Sequence, residues 1–143
     1  MKRSQIREQI FKLLFRVEFN KSEDMPEQIE LFMETPTLDI DEKEYEEVSL
    51  TEQEEKYILQ KYEDIVSHIS EIDEIISDTA KGWTSDRIGK VELTILRLAI
   101  FEIKYDDDIP VSVAIDQAVE LSKKFGRDES YSFINGILAK LAE

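Results

Sequence analysis

Residues 91–105 read VELTILRLAIFEIKY, and Leu93, Ile95, Leu96, Leu98, Ala99, Ile100, Phe101 and Ile103 fall on almost every side of a helix turned at about 100° per residue. A helix that is apolar all round must be surrounded, so this segment predicts a central helix with other helices packed about it. Downstream, the loop Asp106-Asp107-Asp108-Ile109-Pro110 leads into a helix over about 112–125, with Ala114, Ile115, Ala118, Val119, Ser122 and Phe125 inward. Gly126 stands where a left-handed cap would end that helix. Asp128 or Ser130 opens a last helix with the stripe Ile134, Ile137, Leu138 and Leu141. Gly136 costs that helix up to about 1 kcal/mol relative to Ala, which implies a close approach by a neighbour.

Upstream the same spacing recurs. Ile6, Ile10, Leu13, Leu14 and Val17 share one sector of a first helix over about 3–19, and Pro26 to Glu34 forms a second with Ile29, Phe32 and Met33 inward. The acidic, aperiodic stretch 35–50 reads as a long loop. Thr51-Glu52-Gln53-Glu54 fits a capping box that starts a third helix, with Tyr57, Ile58, Tyr62, Ile65, Val66 and Ile69 at helical spacing. Ile72, Ile75 and Ile76 follow a break near Ser70, and Trp83 beside Gly82 plugs the core where the bundles meet, with Thr84 or Ser85 capping a short turn. With four Gly, three Pro and no sustained period-2 alternation, the 143 residues predict an all-α fold of about seven helices. We expect a single domain, 1–143, built as two packed helical bundles, about 1–80 and about 81–143.

Eighteen basic against 33 acidic side chains give a formal charge of −15, which argues against nucleic acid as a partner. Divided by segment the figure reads differently. Residues 1–19 carry a net +3 (Lys2, Arg3, Arg7, Lys12 and Arg16 against Glu8 and Glu18), residues 20–80 a net −16, and residues 81–143 a net −2. Binding is decided by the field within a Debye length of about 8–10 Å, so the basic start can hold an anion despite the global excess. No run approaches the roughly 20 apolar residues of a membrane span, and MKRSQIREQIFKLLF lacks the h-region and cleavage site of an export signal. With no Cys, neither disulfides nor thiolate ligands contribute, and a soluble cytoplasmic protein without membrane contact is expected.

Enzyme chemistry finds little footing. His68 lies among Tyr62, Ile65 and Ile72 without a nucleophile or an acidic residue three positions earlier, and it reads as a structural histidine. Asp39 and Asp41 begin like a calcium loop, but Glu44 stands where the turn needs Gly and Leu50 where it needs Glu. There is no Gly-rich phosphate loop, so no catalytic residue, metal or cofactor is expected. The aromatic residues off the core stripes are more informative. Phe11, Phe15 and Phe19 form an i, i+4 row beside Arg7, and Phe133 lies about 90° from the centre of its stripe. Packing is the default for Phe11 and Phe19. For Phe15 and Phe133 it competes with single-stranded RNA recognition, in which rings stack on bases while guanidinium groups hold phosphate.

Three ordered motifs, VELTILRLAIFEI from Val91, IPVSVAIDQAVELSKKFG from Ile109 and SYSFINGIL from Ser130, with a looser REQIFKLLF from Arg7, resemble the NusB family of bacterial transcription antitermination factors. The resemblance implies a two-bundle helical fold without catalysis. It also implies an adaptor that binds boxA RNA together with NusE, a ribosomal small-subunit protein, and joins the RNA polymerase antitermination complex during ribosomal RNA transcription. It places RNA contacts on Lys2, Arg3, Arg7, Phe15, Glu129 and Phe133, and a NusE-facing acid on Glu92. It further implies a capacity to form homodimers through surfaces that overlap the RNA site. Two departures stand out: Ser4, Gln5 and Ile6 interrupt a basic cluster that is denser in many relatives, and Phe15 replaces a Tyr found in some. The alternative expectation is a protein-only scaffold that binds NusE while its basic end is incidental.

Overall fold

The computed structural model describes residues 1–35, 37–40, 45–81 and 87–142. Seven α-helices occur among them: α1 (Arg3–Phe15), α2 (Met25–Glu34), α3 (Glu52–Ser67), α4 (Ile69–Thr79), α5 (Lys90–Tyr105), α6 (Val111–Phe125) and α7 (Ser130–Leu141). The all-α expectation therefore holds, with one small addition. The segment read as a long loop contains an antiparallel hairpin, β1 (Thr37–Ile40) and β2 (Tyr45–Val48), in the register Thr37 opposite Val48 and Ile40 opposite Tyr45. Four-residue strands give a period-2 pattern too little length to be read against the acidic background, although Thr37, Ile40, Tyr45 and Val48 all favour strands. Gly82, Trp83, Thr84 and Ser85 lie outside the described residues.

The chain divides into two compact units, Met1–Tyr62 and Glu63–Glu143, with the division inside α3. The reason is that α4 is tied to the C-terminal unit. Arg97 of α5 makes a bidentate pair with Asp73 of α4, Nε to Oδ1 at 2.9 Å and Nη2 to Oδ2 at 2.8 Å, and the Tyr105 hydroxyl donates to Glu71 at 2.7 Å. That bond to a carboxylate pushes the Tyr105 pKa up from its ordinary value.

In the N-terminal unit Ile10, Leu13 and Leu14 of α1 are buried, as are Ile58 and Tyr62 of α3. The α-helix stops at Phe15 and tightens into a 3-10 turn over Arg16–Glu18, shorter than the single helix expected to residue 19. Arg16 fixes this turn onto α2, donating from Nη1 to the Gln28 backbone oxygen and to Gln28 Oε1, each at 3.1 Å, with its guanidinium 5.4 Å from the Phe32 ring centre. The capping box of α3 is present: Thr51 N–H donates to Glu54 Oε1 at 2.9 Å, and Glu54 N–H to Thr51 Oγ1 at 3.2 Å. Tyr57, placed in the α3 stripe by its spacing, is instead 48% exposed.

In the C-terminal unit α5 is the central helix, with every residue from Leu93 to Glu102 buried. The break between α3 and α4 comes at His68, two residues before Ser70. His68 donates from Nδ1 to the Asp64 carbonyl at 2.8 Å, since a carbonyl can only accept, and its ring lies 4.3 Å from that of Tyr105. It serves structure, as its surroundings in the sequence suggested. Two glycines differ from expectation. Gly126 is extended (φ −89°, ψ −176°) rather than left-handed, and it is there for space: a β-carbon would lie 2.7 Å from the Ser122 carbonyl oxygen and 2.8 Å from Ser130 Cβ. Gly136 has nothing within 4 Å of the same position, so among the described residues no neighbouring helix exploits it.

Candidate nucleic-acid interface

The basic start of the chain is held at its helix terminus. Gln5 Oε1 accepts from the Lys2 backbone N–H at 2.7 Å, so one of the residues that interrupts the basic run closes the exposed first turn of α1. The N-terminal amine pairs with Glu54 Oε2 at 3.0 Å. Glu54 is consequently held below its ordinary carboxylate value of 4.5, first by the Thr51 backbone N–H and then by the amine. Lys2 and Arg3 remain exposed, whereas Arg7 is 7% exposed and already engaged within the chain.

The aromatic row of α1 is a continuous ladder. The Phe15 ring stacks on Phe11 at 5.9 Å and 19°, and meets Phe19 edge-on at 5.0 Å and 74°. Phe11 is buried as expected. Phe19 is 60% exposed, contrary to the packing expected of it, because the 3-10 turn carries it off the helical register that would have tucked it in. Half-buried Phe15 is therefore braced on both sides and presents what remains of its surface in a fixed orientation.

Glu92, Glu129 and Phe133, drawn from the start of α5 and the start of α7, line one open groove of about 490 Å³ together with Arg87, Ile88, Gly89, Arg127, Asp128 and Ser130. Its floor is built by one buried hydroxyl. Ser130 Oγ accepts from the Arg127 backbone N–H at 2.9 Å and donates to Glu92 Oε1 at 2.5 Å, clamping the first turns of α5 and α7 across 38 residues of sequence. Asp128 and Ser130 had been the expected openers of α7. The helix begins at Ser130 with Glu129 as its N-cap and no side-chain cap bond, and the Ser130 hydroxyl is committed to the clamp. Carboxylates here can accept from the amino and imino edges of bases, a half-buried ring offers a stacking face, and guanidinium groups match phosphate oxygens. Sequence reasoning missed Arg87, Arg127 and Ser130. Arg127 adjoins Asp128 and Glu129 in the loop before α7 and could have been flagged on that account, whereas the Ser130–Glu92 pairing has no local signal.

Among the described residues, no group of three or more His, Asp or Glu side chains is placed to hold a metal ion, and no helix is long and apolar enough to cross a membrane.

Comparison with known proteins agrees with the motifs. The transcription antitermination protein NusB of Agathobacter rectalis is 46% identical over 142 residues, 99% of this chain and all of that protein. Among solved structures, NusB of T. maritima superposes with a TM-score of 0.81 at 31% identity, covering 99% of this chain and 91% of that one. A crystal structure of the antitermination factors NusB and NusE in complex with double-stranded RNA matches with a TM-score of 0.71 at 25% identity, over 99% and 97%. The family model for NusB matches residues 4–143, from the first turn of α1 through the last helix, and by its sequence, its seven described helices and these likenesses the chain belongs to the NusB family.

Proposed function

We propose that this chain is a transcription antitermination factor that binds boxA-type RNA together with NusE and assembles with RNA polymerase during ribosomal RNA transcription, in the cytoplasm and without catalysis. The observation that carries the reading is the convergence on one groove of Glu92, at the start of α5, with Glu129 and Phe133, at the start of α7. Phe133 offers a stacking face and Glu129 an acceptor, while Glu92, clamped by Ser130, lines the same groove and is the acid that the family resemblance assigns to the NusE contact. In the N-terminal unit, exposed Lys2 and Arg3 supply phosphate contacts, Phe15 supplies a braced ring, and buried Arg7 supports the helix that carries them.

A chain with net charge −15 repels RNA over most of its surface, so a basic partner should strengthen binding. The test is titration of boxA-type RNA with and without NusE at two salt concentrations. Tighter binding with NusE, and a flatter salt dependence for Lys2→Gln with Arg3→Gln, are expected. Equal affinity with and without the partner would refute the cooperative reading. The acid excess favours a second reading, a scaffold that binds NusE alone; it fails if Phe133→Ala lowers RNA affinity while NusE affinity is kept.

A further inference from the structure

The chain has six arginines, and three of them are used inside the fold: Arg7 is buried and engaged, Arg16 ties a turn to α2, and Arg97 is paired with Asp73. The other three, Arg3, Arg87 and Arg127, are exposed, and two of these line the same groove. We propose that Arg87 and Arg127 form a phosphate clamp at that groove, gripping the backbone of single-stranded RNA whose base lies against Phe133. The inference rests on the RNA-binding reading above and adds a contact set that the family resemblance did not place.

Three observations support it. First, neither guanidinium makes a hydrogen bond or ion pair among the described residues, although Glu92, Asp128 and Glu129 line the same groove. One of those carboxylates, Glu92, is already taken up by Ser130. Second, the Arg127 backbone is anchored, its N–H held by Ser130 Oγ at 2.9 Å, and exposed Arg87 adjoins Ile88, which is 6% exposed. A guanidinium on a fixed stem loses less freedom on gripping a phosphate through two parallel N–H bonds. Third, the N-terminal helix has few exposed cations of its own to offer phosphate. Ser4, Gln5 and Ile6 interrupt the basic run there and Arg7 is buried, which leaves Lys2 and Arg3 exposed in the first two turns. The groove volume of about 490 Å³ lies in the range that accepts a small organic ligand, enough for a base with its flanking phosphate.

The experiment uses the full chain and a short single-stranded RNA carrying the boxA-type sequence, with affinity measured between about 0.05 M and about 0.2 M salt. Each phosphate contact to a single strand contributes about 0.7 to the slope of log affinity against log salt, so Arg87→Gln with Arg127→Gln should lower the slope by about 1.4. Over that fourfold salt range the wild-type chain should then weaken about sevenfold more than the double variant. An unchanged slope overturns the clamp. So does an equal fall for Lys104→Gln, an exposed cation at the far end of α5, which would mean that general charge and not the groove is being read. If the clamp variant is silent while Phe133→Ala and Lys2→Gln with Arg3→Gln weaken binding, the clamp falls and the RNA-binding function stands. If the wild-type chain binds no RNA with or without NusE, both fall.

Discussion

Ser130→Ala removes a single oxygen that closes two hydrogen bonds, to Glu92 Oε1 at 2.5 Å and from Arg127 N–H at 2.9 Å. A bond to a charged acceptor contributes about 1.5–3 kcal/mol net and a neutral one about 1 kcal/mol. Ser130 is 6% exposed, but half-buried Glu92 and the exposed loop at Arg127 recover water, so the lower end applies and the loss should be about 2 kcal/mol. The β-carbon is retained and no cavity adds to the cost. At roughly 3 °C per kcal/mol for a chain of this size, the thermal midpoint followed by circular dichroism should fall by about 6 °C. Glu92→Gln still accepts the bond but without charge and should lose about half as much. A cycle of Glu92→Ala and Ser130→Ala should show coupling of about 1 kcal/mol, and the double variant should widen the groove and weaken RNA binding. A fall of less than about 2 °C for Ser130→Ala, or strict additivity in the cycle, would show that the clamp does not hold the two helix starts together.

Other substitutions probe other parts of the fold. Asp73→Ala strands the guanidinium of Arg97, 8% exposed, and should cost about 3 kcal/mol in urea denaturation, while Asp73→Leu with Arg97→Met should return close to wild type. The glycines at 126 and 136 should respond with opposite signs: Gly126→Ala drives a methyl group against the Ser122 carbonyl oxygen and should cost about 2 kcal/mol, whereas Gly136→Ala within α7 should stabilise by up to about 1 kcal/mol. Glu54 has a lowered pKa in the folded chain, so its contribution is complete above its ordinary value of 4.5 and is lost as pH falls through the lower folded value. Thermal midpoints of wild type and Glu54→Gln should therefore differ at neutral pH and converge in acid.

What the sequence made legible follows from which interactions are local. The all-round apolar α5 and the Thr51–Glu54 capping box are written within one or two turns of chain and appear as read, while α6 buries Ala114, Ala118 and Ser122 as expected and Leu121 in addition. The end of α1 was not legible, because the switch to a 3-10 turn is held by Arg16 reaching Gln28 on the next helix. Arg97 shows the same limit: a charged residue inside an apolar helix gives no hint of its partner 24 positions upstream. The resemblance named Glu92, Glu129 and Phe133 one at a time, but their gathering around Ser130 belongs to the fold. Burial of Arg7 and exposure of Phe19 likewise depend on neighbours that helical periodicity does not include.

The tight corner at Gly126 constrains how such a groove can change over generations. With Gly126 wedged between Ser122 and Ser130, and Arg127 N–H bonded to Ser130, the link between α6 and α7 has a fixed length that an inserted or deleted residue would break. Residues 127–129 have exposed side chains on this pinned backbone. Substitution there can alter the charge and hydrogen-bonding character of the groove's rim one position at a time while the helices stay in place. Divergence in what the groove recognises should therefore accumulate as side-chain exchange at 127–129, with the spacing between Gly126 and Ser130 left intact.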